Sequence, residues 1–285
     1  MLLVTGATGH VGGAALRTLA TRLGADAVVG LARSAQRAGR TASGGAAFRI
    51  ADYRDGAALA RAFEGVTGLL FVASDGAGRD VVEHHANVIA AAAATGVEHI
   101  AFTSIVDIAA TSPFYFAAVY RDAERRLVES GIPWTILRCG LYADFLLSNW
   151  LAPARISGVI DVPAGAARVA PVTRDDVGAA AAAALASGRH RGRIVELTGP
   201  RAYSFEELAD VAATCFGVPI VYRPCAPTDY LLHCWASMPD PWPHAYSTMF
   251  ASIAQGRYAS TSSGVLDLTG RQADSLEALL TTAPP

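Results

Sequence analysis

Thr5-Gly6-Ala7-Thr8-Gly9-His10-Val11-Gly12 follows the apolar run 2–4 and leads into a helical pattern over 11–23. The three glycines have G-x-x-G-x-x-G spacing, and each answers a different demand. Gly6 permits a tight turn, Gly9 removes a Cβ where backbone must approach a pyrophosphate, and Gly12 lets the helix pack closely. The helix start then offers unpaired N–H groups and the positive end of its dipole. A strand before and a helix after make the octapeptide a dinucleotide-phosphate turn. Gly6, Ala7, Thr8, Gly9, His10, Val11 and Gly12 are therefore cofactor-binding candidates.

Outward from this turn the same alternation continues. Runs 27–31, 47–50, 68–72, 99–103 and 134–137 read as strands. Helical patterns near 56–64, 79–95 and 118–130 lie among them. Strand–helix–strand units at this spacing predict a parallel sheet, and right-handed crossovers close it as a doubly wound α/β fold of Rossmann type. Beyond residue 140 the rhythm loosens. A helix is expected near 142–155, strands at 168–172 and 194–197, a helix start at Thr173-Arg-Asp-Asp176, and a capping box at Ser204-Phe-Glu-Glu207. The aromatic, proline-containing stretch 222–256 is assigned to a smaller lobe over the sheet's C-terminal edge. The expected organisation is a cofactor-binding core over 1–140, with 141–285 completing the sheet and forming the substrate lobe.

A chain of 285 residues, 52% apolar, can bury a sizeable core. Its net charge of −2 argues against a protein built to grip nucleic acid or an anionic membrane. Arg189, Arg191 and Arg193 read as a solvated loop. Cys139, Cys215, Cys225 and Cys234 form no C-x-x-C pair, and His84, His85, His99, His233 and His244 show no metal-ligand spacing, so no metal is expected. The alanine-rich run 178–186 is too short to span a bilayer. These features predict a cytoplasmic protein, a monomer or homodimer, with no membrane or nucleic-acid partner.

The second strand ends at Ala32-Arg33. No acidic side chain stands between Val28 and Ser34 to hold a ribose 2′-hydroxyl. Arg33, with Arg37 further on, can instead fork onto a 2′-phosphate, so NADPH is expected over NADH. Asp52 and Tyr53 follow strand three, as neighbours of an adenine or as turn residues. Ala73 and Ser74, with Asp75, follow strand four, where short side chains suit a crossing cofactor.

Several ordered motifs together carry a resemblance. Thr5 to Gly12, Ala51-Asp-Tyr53, His85-Ala-Asn-Val-Ile89, Phe102-Thr-Ser104, Thr111-Ser-Pro113 and Leu137-Arg-Cys-Gly-Leu-Tyr142 are similar to those of the NmrA-like atypical short-chain dehydrogenases. Within these they most resemble the type 2 NAD(P)H:quinone oxidoreductases. The likeness runs to about residue 217. It implies NADPH, a doubly wound fold, and a nicotinamide near Thr103, Ser104 and the segment Arg138 to Tyr142, including Cys139. Tyr120, Cys139 and Phe145 depart from the family pattern, standing where relatives carry His or Lys, Asn, and Asn.

The chain contains no lysine; all 23 of its basic residues are arginine. A Tyr-x-x-x-Lys pair, in which lysine lowers the tyrosine pKa, is thereby excluded, as is Schiff-base chemistry. Hydride can still reach a substrate that needs little help from an enzyme acid. Quinones meet that condition because their reduced ring is aromatic, and so does a ketone beside a phenol, which supplies its own proton. The expected activity is an NADPH-dependent reductase acting on a quinone-like or aromatic polyketide carbonyl. The alternative is an NADP(H)-binding sensor without turnover. Ser104 and Tyr120 are the candidate catalytic helpers. Tyr115, Phe116, Tyr142, Phe145, Trp150, Trp235 and Trp242 are candidates for stacking on a small aromatic substrate, or for packing within the lobe.

Overall fold

A computed structural model describes residues 1–41 and 44–282. Its strands are β1 (Leu2–Val4), β2 (Val28–Ala32), β3 (Ala47–Ile50), β4 (Gly68–Phe71), β5 (His99–Ile105), β6 (Trp134–Cys139), β7 (Val159–Asp161), β8 (Arg168–Val169), β9 (Arg193–Leu197), β10 (Tyr203–Ser204) and β11 (Val221–Arg223). The first half contains helices α1 (His10–Leu23), α2 (Ala35–Gly39), α3 (Gly56–Phe63), α4 (Gly78–Ala94) and α5 (Ala117–Glu129). The second contains α6 (Ala143–Leu146), α7 (Ala152–Ser157), α8 (Arg174–Ser187), α9 (Phe205–Phe216), α10 (Pro227–Ser237), α11 (Trp242–Ala254), α12 (Gly264–Thr269) and α13 (Leu276–Thr282).

Seven strands form one sheet in the order β3-β2-β1-β4-β5-β6-β9, and every neighbouring pair is parallel. The progression reverses between β1 and β4. At such a switch point the crossovers leave in opposite directions and open a crevice beyond the strands' C-terminal ends.

Strand alternation divides the sheet's apolar side chains between two cores. Val4, Leu70, Ala101 and Leu137 pack with α1 and α8. Their chain neighbours Leu3, Leu69, Phe102 and Ile136 pack on the other face with residues of α3, α4 and α5. Phe71 and Phe102 are fully buried there, and each contributes roughly 1.5–3 kcal/mol of burial free energy.

The alanine run 178–186 has a geometric cause. A Cβ at Gly178 would stand 2.6 Å from that of Ala14 and 2.9 Å from the Val11 carbonyl oxygen, so α8 can lie against α1 only with small residues. Helix α8 is capped by Thr173, whose hydroxyl accepts from the Asp176 N–H; such a cap is worth about 1 kcal/mol. Asp176 is fully buried, paired with Arg271 and accepting from the Asp274 N–H, which fixes the start of α8.

Residues 141–282 supply α8 and β9 to the sheet and build a third core around Leu146, Leu151, Phe205, Tyr230 and Phe250. The expected capping box at Ser204 and Glu207 is formed, and α9 ends at Phe216. The strand expected over 168–172 is only Arg168–Val169. Pro171 lacks a ladder donor, and the chain turns there toward the cap of α8.

Candidate functional site

The crevice at the switch point is a cleft of about 620 Å³. Gly6, Thr8, Gly9, His10, Val11 and Gly12 line it, with Arg33, Arg37, Asp52, Tyr53, Ala73, Ser74, Thr103, Ser104, Tyr120 and Tyr142. Of the cofactor candidates, Ala7 and Cys139 lie outside it. Ala7 is fully buried in the α1–α8 core, and Cys139 is 2% exposed with its thiol against the Leu137 carbonyl. Burial pushes the Cys139 thiol up to about 12, which keeps it protonated near neutral pH.

The turn fits a dinucleotide phosphate. Gly6 has φ +59°, the left-handed region that favours glycine. A Cβ at Gly12 would fall 2.3 Å from the Gly6 carbonyl oxygen, which no side chain can relieve. At Gly9 the nearest atom would be 3.3 Å away and the other side stays open toward the cleft. Gly9 caps α1 with no side-chain bond, and the first turn holds no acid. The helix therefore presents its N–H groups and dipole to an anion.

Beyond the second strand, Arg33 and Arg37 are both exposed, and neither takes part in an ion pair among the described residues. Asp52 is engaged otherwise. Its Oδ1 accepts from the Arg54 N–H at 2.9 Å and Nε at 3.0 Å, and Oδ2 accepts from a terminal guanidinium nitrogen at 3.1 Å. That hold keeps the Asp52 carboxyl down at about 2. The Tyr53 hydroxyl donates to the Val72 carbonyl at 3.2 Å, and its backbone oxygen accepts from Asn87.

The loop after β4 is held by side chains. Thr103 Oγ1 accepts from the Ala73 N–H at 3.0 Å, and His85 Nε2 accepts from the Ser74 N–H at 3.3 Å. Desolvation lowers the His85 pKa to about 4, so the ring is neutral and Nε2 is free to accept.

At the far end the two catalytic candidates differ. Ser104 is 2% exposed, and its hydroxyl donates to Glu124 Oε1 at 2.6 Å. Arg138 forks onto the same carboxylate at 3.1 and 2.7 Å. Arg138 thus lines a shallow surface groove with Trp134 and Ile194 and lies outside the cleft. The Tyr120 ring packs near His85 and Phe102, and its hydroxyl has no partner among the described residues. Burial raises the phenol pKa well above the ordinary range, as it does for Tyr142. The guanidinium of Arg174 sits 4.9 Å over the Tyr142 ring, and Asp144 Oδ2 accepts the Arg174 backbone N–H at 2.7 Å.

Of the seven aromatic residues expected to meet a substrate, Tyr142 lines the cleft and the other six pack elsewhere. Tyr115, Phe116 and Trp242 cluster with Val81 and Val119, and the Tyr115 hydroxyl accepts the Gly78 N–H. Phe145 and Trp150 stack edge-to-face among Tyr246 and Phe250 in the lobe. Trp235 is half-exposed on α10 beside His244. Sequence reading missed Arg54, Asp80, His84 and Arg174, which also line the cleft. Arg174 had a usable signal, since it is the first residue after a capping threonine.

Among the described residues no group of three or more His, Cys, Asp or Glu side chains could hold a metal, and no helix is long and apolar enough to cross a membrane.

Comparisons with known proteins agree with this geometry. A family model described as NAD(P)H-binding matches residues 6–188. Quinone oxidoreductase 2 of Escherichia coli is 36% identical over 231 residues, 81% of this chain and 79% of that one. The (4-alkanoyl-5-oxo-2,5-dihydrofuran-3-yl)methyl phosphate reductase of Streptomyces griseus is 34% identical over 276 residues, 96% of this chain and 94% of its own. The crystal structure of the E. coli quinone oxidoreductase complexed with NADPH superposes with a TM-score of 0.91 at 31% identity, over 99% of both chains. That of a Citrobacter triphenylmethane reductase complexed with NADP(H) gives 0.92 at 30%, over 100% of both. The chain belongs to the NAD(P)H-binding family, among the NmrA-like reductases related to quinone oxidoreductase 2.

Proposed function

We propose that this protein is an NADPH-dependent reductase that delivers hydride directly to a quinone-like carbonyl, or to an aromatic ketone flanked by a phenol, without a tyrosine–lysine acid. The observation that carries this reading is at α5. The position four residues after Tyr120 is Glu124, and its carboxylate is spent on Ser104 and Arg138. Nothing there lowers the Tyr120 pKa, and burial raises it. A phenol in that state donates a hydrogen bond but is a poor proton source.

The bound nicotinamide supplies the hydride. The chain's residues orient and stabilise. Tyr120 and Tyr142, both kept protonated, line the cleft as hydrogen-bond donors for a carbonyl oxygen that gains charge. Arg174 adds a positive charge beside Tyr142. A quinone that takes hydride leaves as a hydroquinone anion, and water or a neighbouring phenol returns the proton. Arg33 and Arg37 hold the 2′-phosphate and select NADPH. The quinone and dihydrofuranone relatives both act, by name, on conjugated carbonyl compounds or their equivalents, which supports the same substrate class.

The test is loss of NADPH absorbance across a panel of quinones and hydroxylated polycyclic ketones. Turnover with either class supports the reading. Tight NADPH binding with no oxidation by any member would replace it with a sensor that binds the cofactor without turnover.

A further inference from the structure

We propose that Arg54, held flat by the Asp52 carboxylate, is the stacking wall for the adenine of the dinucleotide. Arg54 is the first residue beyond Tyr53 and lines the same cleft as Arg33, Arg37, Asp80 and His84. Its side chain is 74% exposed, so packing does not fix it. The fork from Asp52 does, through two side-chain bonds and a third to its backbone.

Three physical points lead from this arrangement to adenine. Three of the acceptor sites on the Asp52 carboxylate are taken by Arg54, so the planar surface that Asp52 offers a base is the guanidinium it holds. A guanidinium is planar and weakly hydrated and stacks on aromatic faces. An unrestrained arginine loses much rotamer freedom on stacking, and here Asp52 has removed that freedom already. The charge distribution agrees. Arg54 is neutralised by Asp52, whereas Arg33 and Arg37 carry no ion pair among the described residues. The two unpaired arginines suit the phosphate, and the neutralised pair suits an uncharged base.

The experiment is equilibrium binding of two cofactor fragments, so it is independent of the substrate. Adenosine 2′,5′-bisphosphate carries the base and the 2′-phosphate; reduced nicotinamide mononucleotide carries neither. Arg54→Gln should raise the dissociation constant of the adenosine fragment roughly three- to tenfold, the scale of a stacked cation. It should leave that of the nicotinamide fragment unchanged. Asp52→Asn, which keeps the guanidinium and loosens its hold, should act in the same direction by a smaller factor. Arg54→Lys separates stacking from charge. Failure of lysine to restore affinity supports the planar wall. Full restoration would overturn it in favour of a simple phosphate contact, as would an unchanged constant for Arg54→Gln.

Discussion

The Ser104 hydroxyl donates to Glu124 at 2.6 Å, and Glu124 occupies the place on α5 where a Tyr-x-x-x-Lys pair starting at Tyr120 would put lysine. Glu124 is 8% exposed and takes both the hydroxyl and the Arg138 fork, so a structural ion pair stands where such enzymes keep an acid's partner. Removing one member of a buried pair leaves the other charge uncompensated. Arg138 keeps a side-chain exposure of 21%, which eases that cost. Glu124→Gln should lower unfolding free energy by about 2–3 kcal/mol, read by urea denaturation. Glu124→Lys recreates the motif spacing but faces Arg138 with a like charge. It should be less stable still and no more active.

The second and third glycines of the turn should respond differently. Gly9→Val projects into the open cleft, so the protein should fold normally and lose NADPH binding in a fluorescence titration. Gly12→Val drives its Cβ into the Gly6 carbonyl and should reduce the yield of folded protein itself. A Gly9→Val variant that binds NADPH normally would contradict the placement of the pyrophosphate.

Arg33→Glu should weaken NADPH far more than NADH. The substitution sets a carboxylate where the 2′-phosphate is expected, with a loss of one to about 3 kcal/mol on the scale of charge-assisted hydrogen bonds. Equal losses for the two cofactors would assign the selection to other residues.

The glycine turn and the sheet were legible because each rests on local chemistry. Glycine spacing and period-two alternation are written in consecutive residues. The alanine run shows the limit. Its composition is visible, but its cause, the approach of Gly178 to Ala14, joins residues far apart in the chain. The site's polar wiring was hidden for the same reason. Ser104 looked available at a strand end, and only the fold brings Glu124 and Arg138 to it. Six of the seven aromatic candidates lie outside the cleft lining, because an aromatic residue on an amphipathic helix has the same sequence signature whether it faces a cleft or a core. Trp150 and Phe145 face the lobe interior.

His85 gives the protein an acid limit. Its pKa of about 4 in the fold lies below its ordinary value of 6.5. Between those values the unfolded chain binds the extra proton, so stability is full above pH 6.5 and falls as pH drops toward 4. The total loss is on the order of 3 kcal/mol. His99, lowered by burial in the same direction, adds to it. His85→Gln keeps an acceptor for the Ser74 N–H without a titrating ring. It should flatten the pH dependence of the melting temperature in this window, and an unchanged slope would assign the acid lability to other groups.

The last prediction concerns the proton. With the Tyr120 and Tyr142 phenols raised by burial, neither is suited to release a proton near neutrality, so their hydroxyls orient and polarise. Tyr120→Phe keeps the ring that packs on Phe102 and His85 and removes only the donor. A general acid is worth roughly 10²–10⁴-fold in rate, whereas one orienting hydrogen bond is worth about 1 kcal/mol, or about fivefold. Tyr120→Phe and Ser104→Ala should each cost less than about tenfold in kcat, and the double variant should stay active. Ser104→Ala should act chiefly on stability, because its hydroxyl faces Glu124. For a ketone substrate, masking the adjacent phenol as a methyl ether should slow turnover more than either substitution. A thousandfold drop for Tyr120→Phe with NADPH affinity intact would show that Tyr120 delivers the proton without a lysine, and direct hydride transfer to a self-protonating substrate would be the wrong description.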